Sequence, residues 1–280
     1  MTGVAAELLD ERRPVSGSRH VLRVAAATLR AELQARTAYR AQLAIGALGW
    51  VVPLAFMALW RGAAADGALG GITQAQLTTY FAMMLVVSNL WISGDIIFGV
   101  SSQIHDGRLA ALLLRPVPPV LPSALAGLAS NAYRVPVVLV GVPLVIGLGG
   151  GTVTRDPGRW VLALVVGTLG IVSVAYVAAM VATVALWLTK AEGVQGLVFG
   201  LEWVVGGMVA PVALLPGILP ELLVHQPFWY AGGAAPEIVA GMGEHSWWLV
   251  AECAAWVLGL HLLCRAVWRR GMRRFEAVGS

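Results

Sequence analysis

Three ionisable side chains lie inside strongly apolar stretches of the sequence: Asp95, Arg134 and Glu202. Charged groups are costly in such surroundings, and those that are retained there usually bind a passing molecule, relay a proton or pair with one another. A fourth, Glu252, lies closer to the end of its apolar stretch, where its side chain can reach the surface. The residue types therefore favour the movement of a charged or polar molecule across an apolar barrier.

Helical periodicity places Asp95 and Arg134 on faces that can meet. Polar or small residues share one face of each stretch: Ser88, Asp95 and Ser102 in the first, and Ser123, Gly127, Ser130 and Arg134 in the next. The two stretches are consecutive and joined by a short link, so an Asp95–Arg134 pair is plausible, although the two residues differ in depth. The sequence leaves open whether this pair is structural or part of a pathway.

The stretch that contains Glu202 has two different faces. Glycines suited to close helix contact occupy one side, and Gln195 and Glu202 lie nearly opposite. A glycine face for packing and a polar face toward a cavity are typical of a pore-lining helix. The alternative is that Glu202 is protonated and bonded to backbone. Trp91 and Trp203 lie inside the apolar stretches and away from the membrane interfaces. At these positions they can stack on a flat or cationic molecule or serve in packing.

Motifs for catalysis are missing from the sequence. No glycine-rich loop ends in Gly-Lys-Ser/Thr, and the five histidines and two cysteines show no metal-ligand spacing. No Ser/His/Asp set or pair of carboxylates converges. We therefore expect a chain that is not an enzyme, binds no metal or cofactor, and does not hydrolyse nucleotide by itself.

The elements that carry these residues are predicted to be transmembrane helices. Hydrophobic residues make up 58% of the chain and charged residues 12%, half the charge of a soluble domain. Six windows are long enough to span a bilayer. The sequence predicts an all-α polytopic membrane protein with spans near 41–60, 76–101, 123–149, 159–188, 193–214 and 246–267.

The arginines predict the orientation of the spans. Fifteen of the nineteen Lys and Arg residues fall in segments that share one side if both termini are cytoplasmic, as the positive-inside rule requires. Only Arg61, Arg155 and Arg159 fall on the outer side. The basic ends thus indicate a membrane surface, not nucleic acid, as the partner. Lys190 is the sole lysine, a bias typical of a GC-rich bacterium, so we expect a multi-pass protein of the bacterial cytoplasmic membrane.

Three segments flank the predicted spans. Residues 1–18 are expected to form a cytoplasmic tail. Residues 19–40 have an apolar face and a basic face, and this pattern predicts a helix in the cytoplasmic interface. The loop at 102–122 contains a short helix with leucines and flanking arginines, which suits docking on a partner better than mere connection. Residues 215–245 are too apolar for a solvated loop and too rich in Pro and Gly to span, and they predict broken helices in the outer leaflet. The spans form one domain over 41–268, followed by a cytoplasmic tail at 269–280.

With this arrangement, the chain resembles the permease subunits of bacterial type-2 ABC exporters, in the branch of about 260-residue permeases with a separate ATPase. The resemblance rests on Gly107-Arg-Leu-Ala-Ala-Leu-Leu-Leu-Arg-Pro116 after span two, and on Pro211-Val-Ala-Leu-Leu-Pro216, Gln226-Pro227-Phe228 and Pro236 after span five. Arg108 departs from the acidic residue that usually follows the glycine in this branch, which affects the charge match with the ATPase.

The resemblance implies roles for the flanking segments. The lead-in would be an elbow helix, the loop after span two a coupling helix seated on the ATPase, and the outer segment a closure of the pathway. The coupling residues would be His105, Asp106, Gly107, Arg108, Leu112, Leu113 and Arg115. ATP and magnesium would bind to two partner ATPase subunits, and two permeases would pair as a homodimer or a heterodimer.

Two function classes remain at this stage. The first is the permease of an ATP-driven exporter that extrudes an amphiphilic or cationic drug, toxin or antibiotic, with Trp91, Asp95, Arg134, Glu202 and Trp203 along the substrate pathway. The second is an ion-coupled secondary transporter that uses Asp95, Arg134 and Glu202. A substrate-free membrane anchor would leave Asp95 and Glu202 without a role.

Overall fold

The computed structural model describes residues 26–27, 49–114, 118, 120–132, 134–187 and 192–278. These residues are mainly helical, and the only β pairing among them is an isolated bridge between Leu69 and Ile72. The helices are α1 (Val51–Ala63), α2 (Gln74–Ser88), α3 (Ser93–His105), α4 (Leu109–Leu113), α5 (Val120–Ala132), α6 (Val135–Leu148), α7 (Pro157–Thr183), α8 (Glu192–Val204), α9 (Leu219–Leu223), α10 (Pro227–Ala231), α11 (Ala234–Ala240) and α12 (Trp248–Val278).

Three helical segments are long and apolar enough to cross a membrane: Gln74–His105, Pro157–Leu186 and Trp248–Arg273. Shorter apolar helices occupy Val51–Ala63, Val120–Ala129 and Val135–Leu148. The predicted all-helical membrane class is confirmed, whereas the six-span topology and the cytoplasmic termini stay predictions. The expected elbow helix at 19–40 lies outside the described residues except for Ala26 and Ala27, which are helical.

Span two is broken in the middle, which the apolar pattern does not predict. Helix α2 ends at Ser88, α3 begins at Ser93, and the Asn89 N–H bonds to the Val86 carbonyl, 3.1 Å away. The Asn89 amide and the Ser88 hydroxyl both donate to the Leu85 carbonyl. In a continuous helix that carbonyl would accept the Asn89 N–H. Side chains that compete with the backbone in this way terminate helices.

Span three is also interrupted, between α5 and α6. The Arg134 N–H donates to the Asn131 carbonyl at 2.9 Å, which forms a turn, and α6 starts at the next residue. Pro136 lies in the first turn of α6. Because proline lacks an N–H and collides with the preceding turn, it is favoured at a helix start and disfavoured in a helix interior, although Pro143 lies inside α6 without ending it. A single predicted span over 123–149 is therefore two helices.

Helix α7 is the centre of the packing and contacts α3, α10, α11 and α12. Its start is defined by Asp156, whose carboxylate accepts the Gly158 N–H at 2.8 Å, and by Pro157 in the first turn. At its other end a 3₁₀ turn, Val184–Leu186, extends the helix. Helix α12 packs along α7 and continues to Val278, so the segment expected as a tail at 269–280 is helical through that residue.

The ends of several spans meet where the sequence predicts the outer side. Arg61, at the end of α1, donates to the Thr78 hydroxyl at 2.8 Å and to the Gly149 carbonyl at 2.7 Å. The Thr79 hydroxyl of α2 donates to the Thr152 carbonyl at 2.8 Å. The end of α1, the start of α2 and the end of α6 therefore lie together, as antiparallel neighbours must.

Span five is shorter than expected. Helix α8 ends at Val204, whereas the apolar pattern predicts a span to 214. Gly207 has a φ of +90°, a conformation that favours glycine, and a Cβ on Gly206 would overlap the Glu202 carbonyl. The chain therefore turns at this point, and it forms a 3₁₀ helix at Val212–Leu214.

The segment 215–245 contains the three short helices α9, α10 and α11, in agreement with the broken helices expected there. Its core consists of fully buried aromatic side chains, Trp229 and Tyr230, that pack with apolar residues of α7 and α12. Gly170 of α7 permits this packing, because a Cβ on that residue would overlap the backbone of Tyr230 and Ala231.

Replacing Gly170 with alanine is expected to destabilise the protein. The added methyl group meets backbone, which cannot rotate away as a side chain can, and overpacking of this kind costs about 1–3 kcal/mol. We expect a melting temperature in detergent lower by roughly 5 °C. Gly167→Ala is the matched control on the same helix, since its Cβ would lie 3.5 Å from the Ala235 Cβ, in ordinary contact. Equal melting temperatures for the two variants would contradict the packing described here.

Candidate transport pathway and docking loop

A tight turn connects α3 to the short helix α4 in the predicted docking loop. Gly107 has a φ of +70°, in the left-handed region, so the turn favours glycine at this position. Arg108 donates to the Asp106 carboxylate at 2.6 Å, and both side chains are more than half exposed. Such an exposed ion pair contributes little to stability, so both groups stay accessible to a partner.

Helix α4 presents leucines in two directions. Leu109 is fully buried against the membrane domain, whereas Leu113 is 38% exposed and Leu114 is 88% exposed. The backbone of Leu112 is helical, but its side chain and Arg115 lie outside the described residues. Leu109 thus anchors the helix, and Leu113 and Leu114 form an outward apolar contact. The sequence prediction included Leu113 and omitted Leu114, which is the more exposed of the two.

The break in span two lies beside a small cavity. Its wall is formed by the four residues around the break, by one side of α7, by Glu202 of α8 and by α10. The lining residues are Leu90, Trp91, Ile92, Ser93, Ile171, Val174, Ala175, Glu202 and Ala231. The space accommodates about one water molecule. Two residues predicted for the substrate pathway, Trp91 and Glu202, therefore line one cavity.

Glu202 is the acidic group of this cavity. The residue is 2% exposed, and neither carboxyl oxygen has a hydrogen-bond partner among the described residues. The Ser93 hydroxyl lies nearby without a well-formed hydrogen bond. The Trp91 indole N–H is also buried without a partner in the described part of the chain. The alternative that Glu202 bonds to neighbouring backbone finds no support among these contacts.

Asp95 lies outside the cavity lining, against α5. A Cβ on Gly127 would lie 2.8 Å from the Asp95 Cβ and 2.9 Å from its Oδ2, so the side chain packs directly on this glycine. One turn away, Gly99 of α3 packs on Ser123 in the same manner. The predicted face of Ser123 and Gly127 does meet α3. The Asp95–Arg134 pair stays a prediction.

Trp203 and Trp91 also take part in packing. Both are partly buried and contact the apolar cluster around Tyr80 and Phe81 of α2. The Tyr80 hydroxyl donates to the Gly207 carbonyl at 2.6 Å, which ties α2 to the end of span five. A packing role is therefore the better supported one for Trp203, whereas Trp91 combines packing with a place in the cavity wall.

Glu252 binds the segment of the short helices α9 and α10, and it is not among the residues that line the cavity beside Glu202. Its carboxylate accepts the Tyr230 hydroxyl at 2.6 Å and lies 2.9 Å from the His225 ring nitrogen. The His225 carbonyl in turn accepts the Trp256 indole N–H at 2.9 Å. These contacts fasten the segment between α9 and α10 to α12, and they give Glu252 a structural role.

A second buried acid, Glu237, escapes the sequence prediction. It is 3% exposed, accepts the Val212 N–H at 3.2 Å and lies 3.9 Å from the His245 ring. Burial raises the pKa of Glu237 to about 7. Burial, followed by the nearby Arg159 guanidinium, lowers the pKa of His245. Glu237 and His245 are thus both favoured in their neutral forms. The hydrogen bond between the Val212 N–H and Glu237 ties the segment after α8 to α11.

The burial of Glu237 predicts that the free energy of unfolding depends on pH. Replacing Glu237 with glutamine should remove this dependence. Because the pKa of Glu237 is higher in the folded protein than in the unfolded chain, its contribution is full below about pH 4.5 and is lost as the pH rises to about 7. Between about pH 5 and pH 8 we expect the wild type to lose up to ~3 kcal/mol relative to Glu237→Gln. Melting temperatures of both proteins across this pH range measure the difference. Both proteins contain His245, so its titration affects them equally. If the two melting temperatures change with pH in parallel, Glu237 does not titrate in this range.

The comparisons with known proteins agree with this geometry. Residues 45–279 match the family model described as ABC-2 family transporter protein. No curated protein and no solved structure matches the chain. The match extends over the predicted docking loop, the broken span two, Glu202 and the short helices α9 to α11, and thus over most of the chain. The protein is accordingly a member of the ABC-2 transporter family.

Proposed function

We propose that this chain is the membrane-spanning permease subunit of an ATP-driven exporter in the bacterial cytoplasmic membrane. The observation that carries the proposal is helix α4, which is anchored by buried Leu109 and ends in two exposed leucines, Leu113 on the helix and Leu114 directly after it. Two adjacent exposed leucines at the end of a short, anchored helix make an apolar contact suited to a groove on a partner. A nucleotide-binding subunit is the partner expected in this family.

The proposed assembly contains two permeases and two ATPase subunits, with both termini of each permease in the cytoplasm. ATP and magnesium bind on the ATPase subunits, and the permease is not catalytic. The two permeases are either identical or different. His105, Asp106, Gly107, Arg108, Leu112, Leu113 and Arg115 supply the contacts with the ATPase, to which the structure adds Leu114 as a candidate.

The structure supports a route by which the ATPase acts on the pathway. Helix α3 begins at the break in span two and ends at the turn that leads into α4. Closure of the ATPase subunits would push α4. Helix α3, moving as a rigid element, would carry this motion to the break beside Glu202. Changes of this kind let one site be closed in one state and open in another.

The proposed cargo is an amphiphilic or cationic drug, toxin or antibiotic. Glu202 supplies a carboxyl group in the cavity wall, and Trp91 supplies an indole, the aromatic group that interacts best with cations. Asp95, Arg134 and Trp203 are further candidates along the pathway. Asp95 adds a carboxyl group in the first turn of α3, close in sequence to the break.

The broken span two keeps a second candidate function open, that of an ion-coupled secondary transporter. Discontinuous helices beside a buried acid are a common ion site in such transporters. This alternative would use Asp95, Arg134 and Glu202 and would need no ATPase. The family and the exposed leucines of α4 favour the first function.

Purification of the chain with its ATPase tests the proposal. The tagged permease and the ATPase are co-expressed, solubilised in mild detergent and isolated through the tag. We expect a stable complex with equal numbers of the two subunits and an ATPase rate that rises when organic cations are added. Recovery of the permease alone, in a folded and monodisperse form, would contradict the proposed function.

A further inference from the structure

Glu202 is buried in the wall of the cavity at the break in span two, and no described residue that lines this cavity carries an opposite charge. Six of the nine lining residues are aliphatic, and besides Glu202 the only polar atoms among the side chains are the Ser93 hydroxyl and the Trp91 indole nitrogen. An ionised carboxylate in such a space loses its hydration and finds no charged partner in return, which makes ionisation unfavourable. Burial without a counter-charge therefore disfavours the ionised form of Glu202 in this state.

The titratable groups on the surrounding helices do not supply a counter-charge in the described part of the chain. On α3, Asp95 is itself acidic and packs on Gly127. On α7, Tyr176 lies 3.1 Å from the His261 ring of α12 and interacts there. Trp203 and Leu201 flank Glu202 along its own helix.

The short helix α10 contributes no counter-charge either. Its one titratable side chain, Tyr230, donates its hydroxyl to Glu252. The residue of α10 that reaches the cavity is Ala231. No described residue that lines the cavity carries a positive charge, so a cationic molecule that enters it would supply one.

We infer that Glu202 exchanges its proton for the positively charged group of the cargo, so that one proton is released for each organic cation bound. When the break opens, the carboxyl O–H bond breaks, the proton passes to water, and the carboxylate pairs with the cation. When the cargo leaves, water returns the proton and the cavity closes again. This inference rests on the proposed function and adds a defined site, a substrate class and a proton stoichiometry to it.

The geometry accounts for both states. In the closed state the space beside Glu202 accommodates about one water molecule, so a cargo molecule enters only after α2 and α3 move apart at the break. In the open state the Trp91 indole N–H and the Ser93 hydroxyl, both of which line the cavity, can donate to the ionised carboxylate. These donors stabilise the charge until the cation arrives.

Calorimetry of the detergent-solubilised permease–ATPase complex tests the exchange. Tetraphenylphosphonium and ethidium serve as probes, since neither can lose a proton itself. Titrations in two buffers of different ionisation enthalpy measure the protons released per cation. We expect about one proton in the wild type and a binding constant that strengthens about tenfold per pH unit while the carboxyl is protonated. Glu202→Gln should release none, and it should bind both probes at least ~10-fold more weakly and with no pH dependence.

The controls separate this inference from the proposed function. Glu221→Gln makes the same change at an exposed carboxyl group of α9 and should match the wild type. If Glu202→Gln does not fold, the proton count of the wild type and of Glu221→Gln still decides. Binding without proton release, or release that persists in Glu202→Gln, would overturn the exchange and leave the exporter proposal intact. A complex that hydrolyses ATP and binds neither cation would overturn the cationic cargo and the exchange together.

Discussion

Replacing Leu113 and Leu114 with aspartate together is expected to detach the ATPase from the permease. Both side chains are exposed at the end of α4, and burial of a leucine in an interface contributes about 1.5–3 kcal/mol. The aspartates remove this contribution and place two charges where a partner surface must be dry. We expect binding of the ATPase to weaken at least ~100-fold, measured by the amount of ATPase recovered with the tagged permease.

The controls for this variant distinguish lost docking from lost folding. Leu113→Met with Leu114→Met keeps the apolar contact and should retain the ATPase. Leu109→Asp alters the buried anchor and should lower the yield of folded permease. Normal recovery of the ATPase with the double aspartate variant would show that α4 is not the docking element.

Replacing Glu202 with glutamine is expected to abolish the export of organic cations without disturbing assembly. Glutamine has nearly the same size and adapts to the same cavity, but it cannot ionise. Loss of one partner from a desolvated charge pair costs roughly 2–5 kcal/mol. We therefore expect ethidium export from cells to fall at least ~10-fold, with unchanged amounts of the permease–ATPase complex.

Glu221→Gln is the matched control for this experiment too, and it should export ethidium at the wild-type rate because its carboxyl group is exposed on α9. Trp91→Phe should give an intermediate loss, since it keeps an aromatic ring and removes the indole N–H. Full ethidium export by Glu202→Gln would remove Glu202 from the pathway.

Much of the architecture could be predicted from the apolar pattern. Long runs of apolar residues place α7 and α12 because a continuous helix of that composition is stable only in a membrane or a large core. The turn at Gly107 and the short helix α4 were predictable from the turn residues and leucines of that loop. The short helices α9 to α11 followed from prolines and glycines that stop a helix inside an apolar segment.

The breaks in spans two and three could not be predicted by averaging hydropathy. A polar pair such as Ser88 and Asn89 hardly changes the mean of a 20-residue window, yet its side chains compete locally for a backbone carbonyl. The adjacent polar residues were the available signal. In span three the signal was Pro136, whose missing N–H makes a helix start the favoured position.

The individual polar contacts also required the structure. Glu202 was predictable as a candidate because it is an acid in an apolar stretch, but its shared cavity with Trp91 depends on the break. Glu237 follows Pro236 in an apolar segment, and that same signal would have identified it. Its contact with His245 and Val212 depends on how α11 folds back on the end of span five.

The most direct test of the account is transport by the purified complex in proteoliposomes. Vesicles containing the permease and its ATPase are given external ATP and magnesium, and ethidium accumulation is followed by fluorescence. The account predicts accumulation that requires ATP, the ATPase and an intact α4, and that continues when a protonophore removes any proton gradient. Accumulation by the permease alone, driven by a proton gradient in the absence of ATP, would contradict it.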